Sequence, residues 1–196
     1  MIVVGVLVAL GADAAWDGKV ARDREREALV DLLEEFEVND TILTRDIRAN
    51  EASYARAREL VRILRVPDGV EADSMAGLLS RIHEGGRFDP VTGALRSVID
   101  GGDLALIRNR DLRRALAGWS DRAEEARQTS LAAQGINLTV LEPMGALIED
   151  PSRLGPGDEA VLASYLWAAQ NASFQQEPLL DELREIADLI RHELDR

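Results

Sequence analysis

His83 and His192 are the side chains with the most chemistry to offer in this chain of 196 residues. A metal site built on helices needs Glu-x-x-His or His-x-x-x-His on faces that turn inward. Neither histidine has Asp or Glu three residues before it. Asp188 and His192 are four apart, which reads as an exposed pair on one helix face rather than a ligand set. Nucleophile and phosphate motifs are missing too. There is no G-x-S-x-G and no Ser-x-x-Lys, and Gly18-Lys19 is followed by Val20 where a phosphate loop needs Ser or Thr. With no cysteine, thiolate catalysis, disulfides and Cys-based zinc sites are excluded. Gly101-Gly102-Asp103 has the outline of a signalling-cyclase fragment, but the Leu-Ala-Leu that follows breaks the match and leaves a helix stop. Asn39, Asn137 and Asn171 head glycosylation sequons, a pattern common by chance. Among 36 acidic residues, paired carboxylates are everywhere and single out no dyad. The expectation is a protein that is not an enzyme, with no catalytic, cofactor-binding or metal residues and no cofactor.

The elements that would position any site are helices. Hydrophobic residues make up 46% and charged residues 30%, dominated by Ala, Leu, Glu and Arg, all strong helix formers. An all-α fold follows. The net charge of −13 repels nucleic acid and anionic headgroups, and most arginines have carboxylates near them in sequence, as solvated helix faces do. Nucleic acid is therefore not an expected partner.

The sharpest feature is the step between residues 1–16, almost wholly apolar and closed by Trp16, and residues 17–27, almost wholly charged. This predicts a transmembrane anchor over 1–16, followed by a helical domain over 17–196. Sixteen residues of helix span about 24 Å, short of the roughly 30 Å hydrocarbon core, so the span is expected to be truncated at its start or to sit in a thinned bilayer. Trp16 stands where an interfacial aromatic belongs, and Gly5 and Ala9 offer a small-xxx-small face. Three alternatives compete. A cleaved signal peptide has Ala12-Asp13-Ala14 in its favour but no basic start. A buried first strand has only 136–141 as a possible companion. A core helix is the third. Lys19, Arg22, Arg24 and Arg26 follow the span, which taken literally puts the domain in the cytoplasm.

Beyond the anchor, Leu29, Leu33, Phe36, Leu43, Ile47, Tyr54, Ala57, Val61 and Leu64 recur at steps of three and four, with Asp40 and Asn50 on the same stripe. This is a coiled-coil-like seam on one long helix that Pro67-Asp68-Gly69 ends. A short helix is predicted over 73–84. Asp89-Pro90 reads as the cap and first residue of a helix to Asp100. Asn109 caps a helix running to about Gln134. The last helix starts at Asp158 or Glu159, and Pro178 should kink or break it. Trp119 and Trp167 both fall on apolar stripes and are expected in the core. The elements suggest an antiparallel helical bundle.

Together, 4–16 with its following charged helix (Arg22, Arg26, Glu27) and the stretch 95–116 resemble an uncharacterised family of bacterial single-span membrane proteins. In that family an N-terminal anchor ends near a Trp, followed by a long charged helix and a helical domain. The later stretch carries its pattern of helix, glycine, Leu-rich turn, Asn and Leu-Arg-x-x-Leu helix. The resemblance covers about a third of the chain and brings no activity or catalytic residues with it. Its members often carry a basic segment before the span. Such a segment here would place the bulk of the chain in the periplasm, at the inner membrane. The functional expectation is a membrane-anchored interaction or scaffold protein, held by the lipid bilayer through its N-terminal helix and binding a protein partner or a second copy. Alternatives are an extracytoplasmic ligand-sensing bundle acting through a partner, and a helical enzyme with a carboxylate-based site.

Overall fold

The computed structural model describes the backbone of residues 2–65, 72–82, 84–150 and 156–196. It describes side chains over 15–63, 65, 74–82, 84–135, 150, 157–167, 170–171, 174 and 176–196. All regular structure among the described residues is helical, as composition requires. Five α-helices follow one another: α1 Ile2–Arg65, α2 Ala72–Ser80, α3 Gly93–Asp100, α4 Arg110–Glu149 and α5 Glu159–Leu194. Short 3-10 turns at Asp103–Ala105 and Pro156–Asp158 precede α4 and α5. Among the described residues no helix is long and apolar enough to cross a membrane. The side chains of 1–14, on which the expected anchor rests, lie outside the described residues, as does His83.

The long helices contribute to two compact units. Unit 1 comprises Met1–Asn39, Val91–Ser120 and Leu183–Arg196; unit 2 comprises Asp40–Pro90 and Asp121–Glu182. In unit 1, Leu29, Leu32 and Phe36 of α1 are buried, as are Leu95, Ile107, Leu112, Leu116 and Trp119, with Leu183, Ile186 and Ile190 of α5. Phe36 and Trp119 meet with ring centroids 5.4 Å apart. In unit 2, Ala57 and Leu60 of α1 pack with Leu79, Ile82, Leu162 and Tyr165.

The seam on α1 differs from the sequence reading in one row. Leu29, Phe36, Leu43, Asn50 and Ala57 are buried as that spacing predicts. The second buried row is Glu25, Leu32, Asn39, Asp46, Ser53 and Leu60, one residue before the expected Leu33, Asp40, Ile47, Tyr54 and Val61. Of that expected row, Ile47 is buried and the other four only partly so. Four of the six residues in the true row are polar, which is why an apolar pattern misses it. They are tolerated inside because most bind backbone that has no helical partner. The seam is also occupied from within this chain, by Trp119 in unit 1 and the Leu162–Tyr165 turn in unit 2.

Three boundaries move for similar reasons. Asp89-Pro90 does not start a helix; α3 begins at Gly93, and Thr92 makes no side-chain cap. The cap comes from α1, where Glu35 accepts from the N–H groups of Ala94 (2.6 Å) and Leu95 (3.2 Å). Asn39 holds Val91 from both sides, accepting from its N–H at 2.8 Å and donating to its carbonyl at 2.7 Å, so this residue stays out of the helix. α4 runs past Gln134 to Glu149, through Gly135, Pro143 and Gly145, although a helix-interior glycine costs about 1 kcal/mol and a proline about 3. α5 is continuous through Pro178 instead of breaking there. Asn109 behaves as expected, its Oδ1 accepting from the N–H groups of Asp111 (2.9 Å) and Leu112 (3.1 Å). Gly102, at φ 78°, supplies the left-handed residue of the turn before it.

Candidate interaction site

Unit 2 exposes aromatic side chains beside a groove. On α5, Trp167 is 64% exposed and Phe174 is 74% exposed. Seven residues separate them, two helical turns, so both rings stand on one face. Trp167 therefore departs from the expectation that placed it in the core, while Trp119 is buried as expected. The apolar stripe that suggested burial is real, but Leu162 and Tyr165 fill the interior position and Trp167 falls outside it.

Phe174 forms the rim of a groove of about 410 Å³ that α4 and α5 line within unit 2. Ala126, Pro178 and Leu179 give it an apolar floor, and Arg122, Glu125 and Glu182 a charged edge. The Arg122 and Glu182 side chains form an ion pair across that edge. The Arg122 Nε is buried with no hydrogen-bond partner. Pro178 has no N–H to offer the Phe174 carbonyl one turn earlier. An apolar floor beside an exposed aromatic and a charged edge is what an extended or helical polypeptide needs to dock.

Below this surface a neutral polar network sets the geometry. Asn50 donates to Gln176 Oε1 at 2.9 Å and accepts from the Gly86 N–H at 2.8 Å. Gln176 in turn donates to Ser130 Oγ at 3.2 Å. These bonds bring α1, α4 and α5 together two residues beyond Phe174. The hydroxyls of Ser53 and Tyr165 and the Ile82 carbonyl meet in one buried triad that shares the two hydroxyl protons. Burial pushes the Tyr165 hydroxyl above its ordinary pKa, against the Ser53 hydrogen bond. A Cβ at Gly86 would collide with the Asp46 backbone, so only glycine fits there. Asp46 itself is 2% exposed. Its Oδ1 accepts from the Arg45 guanidinium at 3.1 Å and its Oδ2 has no partner. Burial raises its carboxyl pKa, with the Arg45 hydrogen bond and charge opposing.

The remaining sequence candidates stay apart. His192 is exposed, and Asp188 pairs with Arg191 at 2.7 Å rather than with it. Among the described residues, no group of three or more His, Asp or Glu is placed to hold a metal ion. Gly101 and Gly102 shape a turn whose 3-10 segment begins at Asp103. Trp16 is 67% exposed at the start of the described side chains. No sequence motif points to the groove.

No protein family, no curated protein and no solved structure matches this chain.

Proposed function

We propose that this is a membrane-anchored helical interaction protein that binds a polypeptide partner in the α4–α5 groove of unit 2. The observation that carries the reading is the pair of exposed aromatics, Trp167 and Phe174, on the helix face that borders the groove. Aromatic residues are enriched where protein interfaces concentrate their energy, and neither ring has an internal task. The anchor rests on the apolar run of 1–16 and its abrupt charged sequel, and on the unbroken α1, which carries that run directly into the folded chain. In this reading the helices form an antiparallel bundle, and the protein sits at the inner membrane with its bulk in the periplasm, as in the single-span family that its opening resembles.

A second copy is one candidate partner. The α1 seam is not the surface for it, because residues of this chain already fill that seam. The test is the mass of the detergent-extracted full chain by light scattering, alone and after mixing with membrane extract. Complexes seen with the native chain and lost with Phe174→Asp support the reading. A strictly monomeric chain that captures nothing contradicts it.

A further inference from the structure

Unit 1 has its own cleft, about 510 Å³, where the segment 22–29 of α1 meets the turn before α4 and the end of α5. Its charges are unevenly matched. Glu25 is engaged by the Arg108 N–H at 2.7 Å and the Arg108 guanidinium at 3.3 Å. Glu193 is engaged by Arg196 at 3.1 Å and by the Asn109 amide at 2.9 Å. Arg26 donates only to a neutral group, the Leu194 carbonyl, at 2.9 Å. Arg22, one turn earlier on the same face of α1, has no ion pair or hydrogen bond among the described residues. Most other arginines of this acidic chain sit against a carboxylate, for example Arg62 on Glu59, Arg81 on Glu84 and Arg127 on Glu124. The cleft therefore gathers two guanidiniums that make no ion pair among the described residues, one helical turn apart, beside the exposed carboxylate of Asp23.

We infer that this cleft binds a phosphoryl group, between the guanidiniums of Arg22 and Arg26. Guanidinium presents paired N–H donors that match phosphate oxygens, and two of them one helical turn apart can hold one anion from both sides. Arg22 lies six residues after Trp16 on an unbroken helix, about 9 Å along its axis. That distance matches the headgroup layer of a bilayer whose hydrocarbon edge Trp16 marks, which favours an anionic phospholipid as the source. This last step rests on the anchoring proposed above; the phosphate chemistry of the cleft does not.

The test uses the purified full chain in neutral detergent, with Arg22→Gln/Arg26→Gln as the probe variant and Arg62→Gln as the control. In one arm, phosphatidylglycerol and phosphatidylcholine are titrated and bound lipid is counted by native mass spectrometry. In the other, inorganic phosphate is titrated and binding is followed by calorimetry. Preference for phosphatidylglycerol, weakened about tenfold or more in the double variant and unchanged in the control, establishes the lipid source. Phosphate binding with the same dependence, but no lipid preference, establishes the site with a soluble phosphoryl ligand. Binding in neither arm, or equal binding by a double variant with native circular dichroism, overturns the inference. Carbonate washing of membranes reports the anchor separately: a chain that washes off yet binds phosphate through Arg22 and Arg26 loses the anchor and keeps the cleft.

Discussion

Unit 1 and unit 2 use the same polar row of α1 in different ways. In unit 1 the row and its flank supply carboxylates that bind backbone N–H groups, Glu35 at the start of α3 and Glu25 in the turn before α4. Such bonds to an ionised acceptor are stronger than neutral ones, and at α3 they also meet the positive end of the helix. In unit 2 the row supplies the neutral Ser53, with Asn50 of the neighbouring row beside it, and the one carboxylate, Asp46, keeps a bare oxygen. A buried polar group is a clamp when every partner is present and a cost when one is missing. Unit 1 is thus clamped by charge and opens an arginine cleft. Unit 2 is held by amides and hydroxyls and opens an aromatic groove.

The largest expected effect is at the charged clamp. Glu35→Ala leaves the N–H groups of Ala94 and Leu95 without acceptors at a buried helix start, and should cost about 2–4 kcal/mol of stability. Urea unfolding followed by circular dichroism measures it; a loss under about 1 kcal/mol would mean that water or Thr92 replaces the cap. Next comes Asn39→Leu. An apolar seam would gain from this change, but the bonds to both faces of Val91 predict a loss of about 2 kcal/mol in the same assay. A more stable Asn39→Leu protein would restore the simple heptad picture.

Asp46 offers a change of opposite sign. Its carboxyl pKa is raised above 3.8 by burial, so the folded chain holds this proton to higher pH than the unfolded chain does. Its contribution is fully present below the unfolded value and is lost as pH rises through the folded one. Asp46→Asn should therefore stabilise the protein by about 1 kcal/mol at neutral pH, an advantage that shrinks as pH falls toward 4. Melting temperatures across that range check both sign and slope. The smallest effect belongs to the surface of unit 1. Arg191 bridges Asp188 and Glu37 at the surface, and Arg191→Ala should shift stability by no more than about 0.5 kcal/mol.

The sequence was most legible where one helix decides its own fate. The Asn109 cap and the start of α5 both follow from local residues. It was least legible where distant residues do the work. Nothing near Thr92 announces that Glu35, far back on α1, caps α3. Nothing in an apolar count marks Glu25, Asn39, Asp46 and Ser53 as buried, because their partners are backbone groups with no sequence signature. The arginine cleft was hidden for a related reason: Arg22 and Arg26 lie among Asp23, Glu25 and Glu27 in sequence. The fold sends Glu25 to Arg108 and leaves the two guanidiniums without a carboxylate partner. Trp167 and Phe174 sat on a helix with apolar residues all round, and only packing distinguishes the ring that is covered from the ring that is not.

The most direct test of the groove is photocrosslinking in native membranes, with a photoreactive phenylalanine analogue at position 174 and, as control, at exposed Arg48 of the same unit. Partner binding predicts a discrete crosslinked protein species from 174, none from 48, and loss of the 174 product when Trp167 is changed to Asp. No product from position 174, or the same products from both positions, would contradict it.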